Sequence, residues 1–153
     1  MTNTLTTERL SQLILLKHDL LVQLRTLAHK QLEAIDADDI DRLLSVLAVK
    51  QPLLTNLQRV ERSLDPFREQ DPHRRQWRSS EDRRNCQLLA DRGAQLLQEL
   101  LLLEKQAETA ALAQRDHTAV QLQATSGAFA AQQAYASVPN ITSSGSLDLS
   151  SET

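Results

Sequence analysis

Four histidines are the first residues of this sequence that suggest chemistry, because imidazole is a common metal ligand. His18 and His29 lie eleven residues apart, whereas two imidazoles of one helix that share a metal stand three or four residues apart. His73 and His117 lie far along the chain from both, and there is no His-Glu-x-x-His pattern. We therefore expect solvated histidines on helix surfaces and in a loop, with no metal site and no cofactor.

A cluster of aspartates between residues 36 and 41 has the composition of a calcium-binding loop. An EF-hand loop also needs glycine at its sixth position and glutamate at its twelfth. Counted from Asp36, those positions hold Asp41 and Leu47, so the match fails. Helix capping explains the aspartates better. We expect Asp38 to be the N-cap of a second helix, with Asp41 beside the positive end of the helix dipole.

The single cysteine, Cys86, excludes an intrachain disulfide and a cysteine-based zinc site. Arg83 and Arg84 are close in sequence and would lower the pKa of a thiol beside them. Cys86 nevertheless falls on an apolar helix face, so we expect a small buried core residue. There is no Gly-x-Ser-x-Gly motif, no catalytic triad order and no glycine-rich phosphate loop. The sequence therefore supports neither a catalytic nucleophile nor a phosphate-binding loop.

One basic segment, residues 68–84, contains the only tryptophan of the chain and suggests phosphate contacts combined with base stacking. Its six arginines are interleaved with four acidic residues, which leaves a local net charge of +2. The whole chain carries a formal charge of −3, which argues against a general binder of nucleic acid or anionic membranes. We expect a solvated loop with Trp77 against the helices, and no nucleic-acid partner.

The elements that position these residues are predicted to be helices. Aromatic residues make up only 3% of the chain, with three glycines and four prolines, which excludes β-sandwiches and barrels. No apolar run approaches the roughly 20 residues of a membrane span, and residues 1–7 lack the basic and apolar regions of a secretory signal. One cysteine fits a reducing cytosol. We expect a soluble, cytoplasmic, all-α protein with no stable membrane insertion.

Apolar residues at helical spacing predict a long antiparallel hairpin over residues 7–64, with its break at residues 36–39. Lys17 and Gln31 interrupt the apolar stripe of the first helix. Pro52 lies inside the second helix, where we expect a kink or a short break near Lys50–Leu53. Residues 65–78 contain two prolines and dense charges, so they are predicted to be the main loop.

A seven-residue repeat predicts a long third helix that begins after a cap at Ser79 or Ser80. The first half of its seam is leucine-rich and is expected to pack on the hairpin; it comprises Cys86, Leu89, Gly93, Leu96, Leu100, Leu103, Ala107 and Ala110. The second half is expected to pack weakly and comprises Gln114, His117, Gln121, Ala124, Ala128, Ala131 and Tyr135. Continuity through Asp116 is left open.

These elements predict an elongated bundle of three to four helices, with residues 1–135 as a single domain and a disordered serine-rich tail over 136–153. The candidate partner-binding residues are sparse apolar side chains in the weakly packed segment: Leu112, Val120, Leu122, Phe129 and Tyr135. Such a surface receives an amphipathic partner helix or pairs with a second copy as a coiled coil. Periodicity alone slightly favours the second copy.

The segment Leu20–Leu64 resembles the N-terminal hairpin of FlgN-like flagellar type III export chaperones, and FliT-like chaperones are similar in the same places. The shared pattern is a leucine-rich first helix, the acidic turn at 34–39, the pair Leu43–Leu44, and Lys50 followed by Leu53–Leu54. The order of hairpin, loop and long third helix also agrees, over about residues 8–135.

This resemblance implies a non-enzymatic cytoplasmic chaperone in bacterial flagellum assembly, a monomer or weak homodimer. Such chaperones bind the terminal helices of hook–filament junction proteins, keep these cargoes from self-association and deliver them to the flagellar export gate. Tyr135 would be a candidate contact with the export machinery. The alternative is a self-associating coiled-coil scaffold or adaptor protein, in which the seam over residues 86–135 is buried between copies.

Overall fold

Three α-helices and one 3-10 turn make up the regular structure of residues 5–151, the part of the chain that the computed structural model describes, with side chains described for residues 5–135. Helix α1 spans Thr7–Asp36, α2 spans Ile40–Arg68, the 3-10 turn spans Pro72–Arg74, and α3 spans Ser80–Ser151. The predicted all-α class is confirmed. The tail predicted as disordered, 136–153, lies outside the residues whose side chains are described, and it stays a prediction.

The turn between α1 and α2 closes α1 with a residue in the left-handed conformation. The Asp38 N–H donates to the Ile35 carbonyl at 3.1 Å, and the Asp39 N–H donates to the Ala34 carbonyl at 2.9 Å. Asp38 has φ of 53°, as this helix ending requires. The prediction that Asp38 is the N-cap of α2 is therefore wrong by one residue: Asp39 caps α2 by accepting from the Arg42 N–H at 3.1 Å.

Helix α2 continues through both of its prolines, so the break expected near residues 50–53 is not found. Pro52 lies on the exposed side of α2, where water can bond the carbonyl that the missing N–H leaves free. The loop also begins later than predicted, at residue 69 rather than 65. The reason is that Phe67, only 4% exposed, packs into the core and carries the helix past Pro66.

The core of the hairpin and the first part of α3 forms two clusters. One joins Leu10 and Leu13 of α1 to Leu64 and Phe67 of α2 and to Cys86 of α3. The other joins three buried α1 residues, Leu21, Leu24 and Ala28, to Leu96 and Leu100 of α3. The order of these contacts makes α2 antiparallel to α1, as predicted, and makes this part of α3 parallel to α1.

The predicted leucine-rich seam of α3 is confirmed. Cys86, Gly93, Leu96, Leu100 and Ala107 are buried, while the three other seam positions up to residue 110 are half-buried. The cap is confirmed as well, because the Ser79 hydroxyl accepts from the Asp82 N–H at 3.1 Å. Periodicity succeeds here because the helix turns the same side toward the hairpin every seven residues.

Contacts divide the chain into two compact units, Met1–Ala111 and Leu112–Thr153. In the second unit α3 runs without a break through Asp116. Between residues 112 and 135 no side chain is buried, and only Gln114 is half-buried. The single-domain prediction for residues 1–135 stays a prediction.

Candidate functional site

The predicted partner-binding residues all lie exposed on one continuous helical segment. The described side chains of Leu112, Val120, Leu122, Phe129 and Tyr135 are each between 44% and 79% exposed. Large apolar side chains at such exposure are common one at a time, but they are less expected as a series on a segment that buries nothing. The segment is therefore the candidate functional site.

Helix geometry divides these residues between two faces. Leu122 and Phe129 are seven residues apart and lie on the same side of α3, within about 20° of each other; we call this side the Leu122 face. Val120 is rotated from Leu122 by about 200°, and Tyr135 lies within about 60° of Val120; this is the Val120 face. Leu112 falls between the two. The five residues therefore do not form one stripe, which the sequence analysis overlooked.

The two faces differ in chemistry. The Val120 face continues the predicted weak seam, so it carries the small side chains of Ala124, Ala128 and Ala131. The Leu122 face carries the two largest neighbouring apolar side chains of the segment. A partner helix gains more from burying leucine and phenylalanine than from alanine, because burial energy scales with apolar area.

The basic segment does not form a continuous cationic surface. The Arg68 guanidinium pairs with Glu61 and Asp65, and Arg78 pairs with Glu8 at 2.9 Å. Trp77 is half-buried against the cluster around Leu10, as predicted. The expectation of no nucleic-acid partner stays a prediction.

Cys86 is a buried core residue, as predicted, with 6% exposure. Burial raises the pKa of its thiol, and this effect outweighs the lowering by a hydrogen bond with Ser11 and by the positive charge of Arg75. Arg83 and Arg84, the neighbours that the sequence suggested, are not the cause of any lowering. A thiol with a raised pKa is a poor nucleophile at neutral pH.

The histidines are dispersed. His18 is half-buried and lies 3.2 Å from a carboxylate oxygen of Asp19, whereas the three others are exposed. Within the described residues, no group of three or more His, Cys, Asp or Glu side chains is placed to hold a metal ion. The same residues include no helix with the length and apolarity needed to cross a bilayer.

Two polar residues in the apolar stripe of α1 make contacts that the sequence analysis missed. The Lys17 ammonium lies 2.7 Å from a carboxylate oxygen of Glu61 on α2. The Gln31 amide oxygen accepts a hydrogen bond of 3.0 Å from Lys50, which also pairs with Glu104 of α3. The sequence did indicate these contacts, because a polar residue that interrupts a buried apolar stripe needs a polar partner.

The carboxyl of Glu61 is the most perturbed acid of these contacts. Burial alone would raise its pKa, but hydrogen bonds from Lys17 and Arg68, together with their charges, hold the pKa below the ordinary value. The partners raise the pKa of Arg68 in turn. The Lys17–Glu61 pair ties α1 to α2.

Comparison with known proteins gives no assignment. No protein-family model, no curated protein and no solved structure matches this chain. Evidence for a function therefore comes from two features. One is the resemblance of Leu20–Leu64 to the chaperone hairpin, and the other is the exposed helical segment over residues 112–135.

Proposed function

We propose that this protein is a FlgN-like cytoplasmic chaperone of flagellar type III export and is not an enzyme. Its cargo is the terminal helix of a hook–filament junction protein, which it delivers to the export gate. One observation carries the proposal: over residues 112–135 a continuous helix exposes five large apolar side chains and buries none. The resemblance of Leu20–Leu64 to the chaperone hairpin supports the same assignment.

The energetics suit a reversible contact. Most helical stability in proteins comes from packing an apolar face, and this segment has no such packing of its own. Full burial of Leu122 and Phe129 contributes about 1.5–3 kcal/mol each. Association itself costs about 4 kcal/mol or more. These two side chains therefore give only a small net gain, which suits a contact that holds a cargo helix and can release it.

The Leu122 face and the Val120 face suit two different contacts. We place the cargo helix on the Leu122 face, since it offers the larger apolar side chains. Tyr135, which is 79% exposed, lies on the Val120 face and stays accessible when the Leu122 face is covered. That position suits a second contact with the export machinery.

The test is size-exclusion chromatography with light scattering, with and without purified hook–filament junction protein. We expect a monomer or weak dimer that shifts to a stoichiometric complex. Leu122→Asp is expected to abolish the complex. Val120→Asp is the matched control, because Val120 and Leu122 are 64% and 63% exposed but lie on opposite sides of the helix. If both variants bind cargo like the wild type, this site is refuted.

The second candidate is the self-associating scaffold. Its seam was expected to be buried between copies over residues 86–135, but the hairpin already covers the part up to residue 110. Of the predicted seam, the part over residues 112–135 remains available for self-association, through the alanines of the Val120 face. A stable homo-oligomer that ignores the junction protein and that Val120→Asp dissociates would favour the scaffold over the chaperone.

A further inference from the structure

A cavity of about 320 Å³ opens between the three helices and the loop that joins α2 to α3. All of its lining residues belong to the unit Met1–Ala111. Its apolar wall includes Leu10 and Ile14 of α1, Leu64 and Phe67 of α2, and Trp77 of the loop. The cavity has the size of small-molecule sites in proteins, and its lining combines apolar and polar residues.

The charged residues that line this cavity all carry the same sign. Lys17, Arg68, Arg75 and Arg83 come from α1, α2, the loop and α3, respectively, and no Asp or Glu is among the lining residues. These four cations converge on one cavity from four different segments, although the chain as a whole is negative.

Two of these cations are already neutralised from outside the cavity. Lys17 and Arg68 both pair with Glu61. Arg75 instead donates to two neutral oxygens, the Phe67 carbonyl at 2.7 Å and the Gln70 amide oxygen at 3.0 Å. Arg83 has no ion-pair partner among the residues whose side chains are described. Two guanidinium groups at the cavity therefore have no carboxylate.

We propose that this cavity binds a small amphiphilic carboxylate, that is, an acyl chain that ends in a free acid group. The chain would lie against the apolar wall beside Trp77, and the carboxylate would bond Arg75 and Arg83. Guanidinium groups suit this role because their paired N–H donors match the two oxygens of a carboxylate. A small polar anion would leave the apolar wall unused, and a neutral alkyl chain would leave the cations unpaired.

The cavity volume sets the length of the chain. One water molecule occupies about 30 Å³ of liquid, so the cavity has the volume of about ten waters. An acyl chain of about eight to ten carbons has a comparable volume, so a ten-carbon acid is a suitable probe. This site is separate from residues 112–135 and does not depend on the proposed chaperone function.

The test is a titration of the full chain with decanoate, followed by the fluorescence of Trp77, the only tryptophan, and by calorimetry. We expect one saturable site and a change in Trp77 emission. Decanol, with the same chain and no charge, is expected to bind at least about tenfold more weakly. Absence of saturable decanoate binding, or equal binding of decanol, would overturn the proposal.

Variants locate the site. Arg83→Gln is expected to weaken decanoate binding by about three- to tenfold, since a partly exposed charged contact is lost. Arg84→Gln is the matched control, because Arg84 is an exposed neighbour that does not line the cavity. Ala90→Phe places a large side chain at the lining and is expected to reduce binding while thermal unfolding remains cooperative. Equal affinities for the Arg83 and Arg84 variants would refute the assignment.

Discussion

Lys50 is a buried charge that joins all three helices of the first unit, and its removal is the sharpest test of how that unit is held together. Its side chain is only 11% exposed, and its ammonium donates to Gln31 of α1 at 3.0 Å. It also pairs with Glu104 of α3, whose side chain is 33% exposed. The two charges of the pair are therefore buried to different degrees.

This difference in burial predicts which of the two substitutions lowers the free energy of unfolding more. Lys50→Met keeps the apolar stem and leaves Glu104 free to turn into water, so we expect a loss of about 1–2 kcal/mol. Glu104→Gln leaves the more buried ammonium without a counter-charge, so we expect a loss of about 2–3 kcal/mol. The double variant removes both charges, and we expect a coupling energy of about 1–2 kcal/mol.

The assay is urea unfolding followed by Trp77 fluorescence, since Trp77 packs on the core of this unit. Arg25→Met is the matched control: Arg25 pairs with Glu99 across α1 and α3 at 3.1 Å, but both side chains are more than one third exposed. We expect a change of at most about 0.5 kcal/mol there. A coupling energy below about 0.3 kcal/mol, or a larger loss for Lys50→Met than for Glu104→Gln, would refute the argument.

Three further predictions concern single residues. Asp38→Gly is expected to raise the free energy of unfolding by about 0.5 kcal/mol, because glycine adopts φ of 53° without a steric cost. Asp38→Val is expected to lower it by about 1 kcal/mol, because a β-branched residue is strained at this φ. Urea unfolding measures both changes. The lowered pKa of Glu61 means that its carboxylate stabilises the fold at neutral pH and that this contribution is lost on acidification. Wild type is therefore expected to exceed Glu61→Gln in free energy of unfolding by up to about 1 kcal/mol at pH 7. The gap closes as the pH falls below the ordinary glutamate range and through the lowered pKa of Glu61; a gap that persists in acid contradicts this. The buried Cys86 thiol, with its raised pKa, is expected to react with a thiol reagent at neutral pH far more slowly in the native chain than in urea; equal rates would show that it is accessible.

Structural features that depend on the pattern of a single helix are predictable from the sequence. The seam from Cys86 to Ala110 was predicted position by position, and Ser79 is one of the two serines predicted as the cap of α3. The exposure of Leu122 and Val120 was also expected, although not their separation onto two faces. These features follow from the repeat of a single helix and from the preference of short hydroxyl side chains for helix starts, which are local properties.

Other features depended on residues far apart in the chain. Helix α2 continues past Pro66 because Phe67 packs into the core. The residues around Pro66 do not by themselves indicate this stabilisation of the helix. Asp38 or Asp39 could each cap α2 by composition, and the hydrogen bonds that close α1 decided between them.

An all-helical chain, a buried seam on α3 and an exposed apolar segment after it follow from the sequence pattern. The pairing of Lys50 with Glu104, and the cavity lined by cations from four segments, Arg75 and Arg83 among them, become visible when the helices are packed. Periodicity fixes which side of a helix is apolar, whereas an ion pair or a cavity depends on the relative heights and rotations of packed helices. Those are set by the side chains of all the helices together.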